Sequence, residues 1–322
     1  MEEGFPSDRL RAWYRQNARD LPWRRTQDPW AILVAEVVLQ QTRVEQAIPY
    51  FERILARFPT PETLAAAPLE ELLRLWQGLG YYRRAEHLWR AAGAIAREGF
   101  PRTYAGLLRL PGLGPYTAGA VASIAFGEPV PAVDGNVRRV LARYHARERP
   151  GAAWLRERAA ALVDPRDPGA WNQALIELGA TLCTPSRPAC RACPLRRGCR
   201  GRDDPTRYPA PRRRRTREWR LAALVLLGRR GVVLEARPRG PWAGLFGPPM
   251  DEDEGRLLAR FGLTPGTVRF LGEVRHPLSH RRVRVRVFLA RTERDGEDPA
   301  ARPLSALARR VLALAQEALG EA

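Results

Sequence analysis

The sequence contains no lysine, so all 54 of its basic side chains are arginine. That absence excludes an intrachain lysine nucleophile or Schiff base before any motif is considered. Histidine is scarce, with four residues that show no metal-ligand spacing and no partnered nucleophile. No stretch approaches 18 uncharged apolar residues, so no membrane-spanning helix is expected. The opening Met1-Glu2-Glu3-Gly4 lacks both the basic start and the apolar run of a secretory signal. The cytoplasm is therefore the expected compartment, where structural disulfides are rare. Acids are in deficit: 35 against the 54 arginines leave a net charge of +19. A surplus of that size calls for a polyanionic partner or a very basic solvated face, and nucleic acid is the leading candidate. The 322 residues suit two domains, and 45% hydrophobic with 28% charged residues is a globular composition. No internal repeat of fixed period is present.

From residue 8 to about 200 the apolar residues recur at helical spacing. Asp28-Pro29 and Thr60-Pro61 read as N-cap plus first-turn proline. Residues 203–217 are Pro-rich, basic and without periodicity, which marks a linker. The division is 1–200, a linker over 201–217, and a second domain over 218–322. In the second domain Leu221–Leu227, Gly231–Ala236, Thr267–Val274 and Arg282–Ala290 read as strands. Leu257–Phe261 and Leu304–Leu319 read as helices. The fold class is thus an all-α N-terminal region followed by a smaller α+β domain.

The only four cysteines are Cys183, Cys190, Cys193 and Cys199, in the pattern C-x6-C-x2-C-x5-C. Four thiols crowded into one segment of a cytosolic chain point to zinc or an iron–sulfur cluster. A structural zinc site usually pairs two CxxC knuckles, and this segment has one. The unequal spans suit a cubane better, although spacing alone leaves both open. Arg187, Arg191, Arg196 and Arg197 make the same loop a basic surface.

Leu110-Pro111-Gly112-Leu113-Gly114-Pro115-Tyr116-Thr117-Ala118 lies between two helical stretches. Its glycines allow a tight turn that bares N–H groups, and the next helix begins at Pro115. Together these form a sequence-blind phosphate clamp. Glu36 sits in a helix that is apolar nearly all round. Desolvation there would raise its pKa, as a general acid requires. Asp134, in Val133-Asp134-Gly135-Asn136, precedes another helix and reads as an N-cap with a possible second role. The remaining acids read as members of Arg-rich helix faces.

The LPGLGPYTA hairpin, the VDGNV segment and the cysteine loop resemble the helix–hairpin–helix DNA glycosylase superfamily. Within it, Ala35-Glu36-Val37-Val38-Leu39-Gln40-Gln41-Thr42 and Gly78-Leu79-Gly80-Tyr81-Tyr82 are similar to adenine DNA glycosylases of the MutY type. The resemblance implies removal of adenine mispaired with 8-oxoguanine or guanine in double-stranded DNA, by a monomeric enzyme. It implies a six-helix barrel beside a helical domain bearing a [4Fe–4S] cluster on Cys183, Cys190, Cys193 and Cys199. Glu36 would protonate the base and help activate water. Asp134 would stabilise the sugar cation, and Tyr116 and Asn136 would complete the polar shell. Gln41 and Tyr81 match residues that wedge into the duplex. Leu110, Gly112 and Gly114 would hold the phosphate backbone. The second domain resembles the family's Nudix-like 8-oxoguanine reader, with Ser279 and His280 as the recognition pair and Leu278 where the family carries Phe. No Nudix catalytic helix follows the turn at 241–249, so no pyrophosphatase activity is expected.

Two other readings are weaker. Strand-cleaving relatives on damaged pyrimidines carry a lysine where Tyr116 stands, and this chain has none. A non-enzymatic iron–sulfur DNA-binding protein would need neither Glu36 nor Asp134.

Overall fold

The computed structural model describes residues 5–211, 217–238, 240–278 and 281–320. Ser279 and His280 lie outside the described residues. The chain folds into two compact units, 1–66 with 87–212 and 67–86 with 213–322. Residues 67–86, read from the sequence as part of the first domain, group with the second unit instead.

The helices before residue 200 are α1 (Ser7–Asn17), α2 (Pro29–Leu39), α3 (Val44–Arg57), α4 (Pro61–Ala66), α5 (Leu69–Leu75), α6 (Arg83–Glu98), α7 (Tyr104–Leu107), α8 (Pro115–Phe126), α9 (Gly135–Tyr144), α10 (Ala152–Leu162) and α11 (Pro168–Thr181). The first unit has no strand among its described residues. Helix α2 starts where the sequence says it should. The Asp28 carboxylate accepts from the N–H groups of Trp30 and Ala31 at 3.1 and 3.2 Å, with Pro29 at the first helical position. Every residue from Trp30 to Val38 is buried, because the helix has no polar face to turn outward. Helix α8 is similar, with Thr117–Ser123 buried, and the two pack together. A second core joins α1, α9, α10 and α11 around Leu10, Leu141, Trp171 and Leu178, each fully buried. Each such side chain contributes about 1.5–3 kcal/mol of burial. Cys183, Cys193 and Cys199 pack against this core, so the cysteine loop is seated on the helices.

Part of the expected linker is also fixed. Ala210 N–H donates to the Glu148 carbonyl at 2.8 Å, and the Tyr208 carbonyl accepts from Arg143 Nε at 3.0 Å. Lack of periodicity marked the segment as irregular, but irregular backbone can still be anchored.

In the second unit the strands are β1 (Arg217–Gly228), β2 (Gly231–Val232), β3 (Glu235–Ala236), β4 (Phe246–Gly247), β5 (Met250–Asp251), β6 (Arg269–Leu278) and β7 (Arg281–Arg291). The helices are α12 (Glu254–Ala259) and α13 (Ala306–Gly320). The main sheet runs β2-β1-β7-β6, and β5 also pairs with β1. β1 and β7 are parallel from Arg217↔Arg281 to Leu227↔Arg291, while β6 and β7 are antiparallel. β3 and β4 form a separate ribbon. The expected strand at 231–236 is two short pieces, split between the two sheets. Val283, Val285 and Val287 face α13, and Leu224 and Phe288 face α12, so each face of the sheet has its own core. Among the described residues no helix is long and apolar enough to cross a membrane.

Candidate active site

One cavity of about 690 Å³ in the first unit is lined by Glu36, Gln41, Gly112, Gly114, Tyr116, Asp134 and Asn136. These residues come from α2, the turn after it, the hairpin, and the start of α9. Glu36 is only 7% exposed. Burial raises its carboxyl from 4.5 to about 7, a rise reinforced by the charge of Asp134 and opposed by a Tyr116 hydrogen bond and by Arg24. Its Oε2 is buried with no hydrogen-bond partner among the described residues. Burial, and then the charges of Glu36 and Asp134, push the Tyr116 phenol well above its usual value. Tyr116 therefore remains a proton-bearing donor to the carboxylate.

Asp134 caps α9. Its Oδ1 accepts from the Val137 N–H at 2.7 Å, and its Oδ2 accepts from Asn136 Nδ2 at 2.8 Å. Burial raises its carboxyl, while these hydrogen bonds and the charge of Arg139 oppose the rise. The two carboxyls are thus handled differently. Glu36 has an unpartnered oxygen and titrates near neutrality, whereas Asp134 has donors on both oxygens that favour the anion.

The sequence reading missed the residues that hold Asp134 and the cysteine loop. Asn172 is fully buried on α11. Its Oδ1 accepts from the Ala132 N–H at 2.8 Å, and its Nδ2 donates to Ser123 Oγ and to the Val130 carbonyl, both at 2.9 Å. That one amide fixes the segment leading into Asp134. Arg139 donates from Nη2 to Asn136 Oδ1 at 2.8 Å and from Nε to the Cys183 carbonyl at 2.7 Å. Arg143 is 3% exposed and donates to the carbonyls of Cys183, Thr184, Pro185 and Tyr208. Glu177, one of the acids read from the sequence as lying on Arg-rich helix faces, points inward. Its side chain is fully buried and ion-paired with Arg19 and Arg24 at 2.8 Å each. Burial works to raise its carboxyl, but the two guanidiniums hold it down at about 2. Apart from the Arg139–Asn136 pair, none of these partners is local in sequence; only the isolated polar letters Asn172 and Glu177 in an apolar helix could have signalled them.

The hairpin joins α7 to α8. Gly112 has φ +76°, and a Cβ there would lie 2.3 Å from the His87 Cβ, so both conformation and space demand glycine. Leu110 is buried, and its carbonyl accepts from the Leu113 N–H at 3.3 Å, closing the turn. Gly114 is the N-cap position of α8. Gln41 has φ +57°, an uncommon conformation for a residue with a side chain. Tyr81, in the second unit, has φ +50° and is 45% exposed. Its turn is held by Trp76 Nε1 and Arg84 Nη2, which donate to the Gly80 carbonyl at 3.0 and 3.1 Å.

The four cysteines line a separate, smaller cavity with Arg143, Arg196 and Arg202. Burial pushes the Cys193 and Cys199 thiols up to about 12 and about 11, and each is also raised by the other three cysteines or by two of them. Among the described residues no group of three or more His, Cys, Asp or Glu converges on a point that one ion could occupy. One zinc at about 2.3 Å from each sulfur would draw the thiolates to about 3.8 Å from one another. A four-iron cluster takes its thiolates at different irons and hence at wider separation. The four cysteines line one cavity together, so four thiolate donors are available there to a metal site.

The base excision DNA repair family described as HhH-GPD matches residues 34–165, which include Glu36, the hairpin and Asp134. The adenine DNA glycosylase of Buchnera aphidicola subsp. Baizongia pistaciae is 32% identical over 286 residues, covering 83% of this chain and 81% of that protein. The human adenine DNA glycosylase is 46% identical over 210 residues, covering 60% of this chain and 38% of that protein. The Arabidopsis thaliana protein of the same name is 43% identical over 221 residues, covering 58% and 35%. The match thus spans little more than a third of the length of these two relatives. Among solved structures, a thermostable thymine-DNA glycosylase is similar with a TM-score of 0.58 and 28% identity, covering 61% of this chain and 94% of that one. A non-covalent endonuclease III–DNA complex gives 0.55 and 26%, covering 62% and 95%.

Proposed function

Because this chain belongs to the adenine DNA glycosylase family, we propose that it removes adenine mispaired with 8-oxoguanine or guanine from double-stranded DNA, by hydrolysing the N-glycosidic bond. The observation that carries the reading is the pair of unlike carboxyls in one cavity. Glu36, with a pKa near 7, is partly protonated at neutral pH and can give its proton to a ring nitrogen of the leaving base. The electron pair of the breaking C–N bond then departs with a neutral purine. Asp134, supported by Val137 and Asn136, stabilises the positive charge that develops on the sugar. Water adds to the sugar carbon and gives its proton to the Glu36 carboxylate, which restores the acid. Tyr116 donates to Glu36 and orients it.

Adenine must leave the helix stack to reach this cavity. Gln41 and Tyr81 are suited to fill the gap, and their left-handed backbones are the kind of strain that functional turns retain. The hairpin at Leu110, Gly112 and Gly114 would grip the phosphates beside the lesion. Cys183, Cys190, Cys193 and Cys199 would hold a [4Fe–4S] cluster, whose contribution is to fix their loop in place. The sheet of the second unit, flanked by α12 and α13, supports a Nudix-like reader of the opposite base, with Ser279 and His280 as its polar pair. The absence of lysine supports a monofunctional reaction without strand cleavage. We read the enzyme as a cytoplasmic monomer. The test is incubation with a duplex holding adenine opposite 8-oxoguanine, followed by hot alkali. Cleavage at the adenine is expected, and an intact strand would overturn the reading.

A further inference from the structure

Strand β7 alternates Arg282, Arg284 and Arg286 with Val283, Val285 and Val287. The valines are buried on the α13 side, and the arginines stand exposed on the opposite face. That opposite face has two halves. One half, with Ala222, Leu224, Leu226, Phe288 and Ala290, is covered by Leu257 and Leu258 of α12. The other half is bare among the described residues and carries Glu218 and Arg220 on β1, the three arginines on β7, and Glu273 and Arg275 on β6, all exposed. The strand registers set Arg220, Arg284 and Arg275 side by side in one row across three strands.

Neighbouring strands lie about 4.8 Å apart, and like charges directly opposite one another destabilise a sheet. A face that needed only solubility would be better served by interspersed signs. The acids present neutralise only part of the row. Glu218 pairs with Arg284 at 2.9 Å and sits 3.6 Å from Arg220, and Glu254 pairs with Arg286 at 2.5 Å. Arg275 and Arg282 have no ion-pair partner among the described residues. A regular array of arginines on a rigid sheet, spaced by two residues along one strand and by one strand across, complements a regular array of negative charges.

We propose that this bare half of the sheet docks the phosphate backbone of double-stranded DNA. The proposal rests on the glycosylase reading only for the choice of polyanion. It adds a sequence-independent contact remote in the chain from the hairpin and the cysteine loop.

The test uses the full-length protein and the variant R220Q/R275Q/R282Q/R284Q. Binding to a dye-labelled, undamaged duplex is followed by anisotropy between about 50 and 200 mM NaCl. Each phosphate contact adds about 0.9 to the slope of log affinity against log salt, so four lost contacts should make the slope shallower by about 3–4. Over that salt range the wild type should then lose roughly a hundredfold more affinity than the variant. The thermal midpoint of the variant at low salt should rise, because the repulsion across the row is gone. The control R229Q/R230Q removes two arginines in the turn between β1 and β2, off this half of the sheet, and its slope should match the wild type. Equal slopes for the wild type and the folded four-site variant overturn the proposal. If that variant does not fold, R220Q/R284Q and R275Q/R282Q are measured separately, and equal slopes in both overturn it. Adenine release is measured in parallel at saturating enzyme. Loss of release in the wild type would sink the glycosylase reading while leaving the salt slopes to decide the docking surface.

Discussion

Replacing Glu36 by Gln separates two consequences of burying a carboxyl. The folded protein holds this group at about 7 against an ordinary 4.5. A raised pKa in the folded state means that the stabilising form is the protonated one. Its contribution is complete below pH 4.5 and is lost as pH rises through 7. At about 1.4 kcal/mol per pH unit, the loss across that window is about 3 kcal/mol. Gln has a similar shape, stays neutral, and incurs no such loss. The difference in unfolding free energy between E36Q and wild type should therefore grow by about 3 kcal/mol in favour of the variant from pH 4.5 to 7, then level off. Other titrating groups cancel in the difference. Denaturant melts at a series of pH values measure it. Adenine release should move the opposite way, falling by about a hundredfold to ten-thousandfold below pH 7, since the proton donor is gone. In the wild type the single-turnover rate should fall about tenfold per pH unit above 7. A stability difference independent of pH would show that Glu36 is not a buried acid, and retained excision in E36Q would remove it from the mechanism.

Asn172→Ala should destabilise the protein by about 3 kcal/mol in thermal melts, because the Ala132 N–H and the Val130 carbonyl lose their buried partner. Its excision rate should fall as well, since Asp134 follows directly. Borohydride should trap no covalent complex in a preparation free of tag lysines, as the sequence has none to form a Schiff base; efficient trapping would contradict a monofunctional reaction. Cys193→Ser should lower iron content and DNA affinity before it affects bond cleavage, and zinc without iron in the wild type would end the cluster assignment. Substituting Ser279 and His280 together by Ala should shrink the preference for 8-oxoguanine over guanine by about 1 kcal/mol per lost hydrogen bond, read as relative excision of the two mispairs.

The parts of this molecule legible in its sequence are those governed by local rules. Asp28-Pro29 announces the start of α2, and the unbroken apolar run after it announces that the helix is interior. The Arg–Val alternation marks β7 to within a residue at each end. Glu36 stands out for the same reason, as a charge in a stretch with no polar side. Legibility stops where the partner is distant in the chain. Asn172 reaches back to Ala132, and Glu177 is closed in by Arg19 and Arg24. No spacing rule connects such residues. Strands β4 and β5 have two residues each, too few to show alternation, and they form only because β3 and β1 offer their edges. Residues 67–86 join the second unit through tertiary contacts that their helical pattern does not encode.

Three close crossings in the first unit bear on how this protein can change over time. A methyl group added at Gly119 would lie 2.3 Å from the Pro131 carbonyl oxygen, at Gly169 3.0 Å from the Ser123 carbonyl oxygen, and at Gly179 2.5 Å from the Asn136 Cβ. At these points α8, α9, α11 and the segment before Asp134 meet main chain against main chain or nearly so. The spacing of these elements is therefore set by backbone contact rather than by the bulk of interchangeable side chains. Substitutions around the cavity can alter which groups face a bound base, but they leave the spacing of these elements almost untouched. Chemistry and scaffold are under separate control: a lineage could acquire a new reaction at this site by exchanging a few polar residues, whereas re-spacing α8, α9 and α11 would require replacing contacts between their backbones.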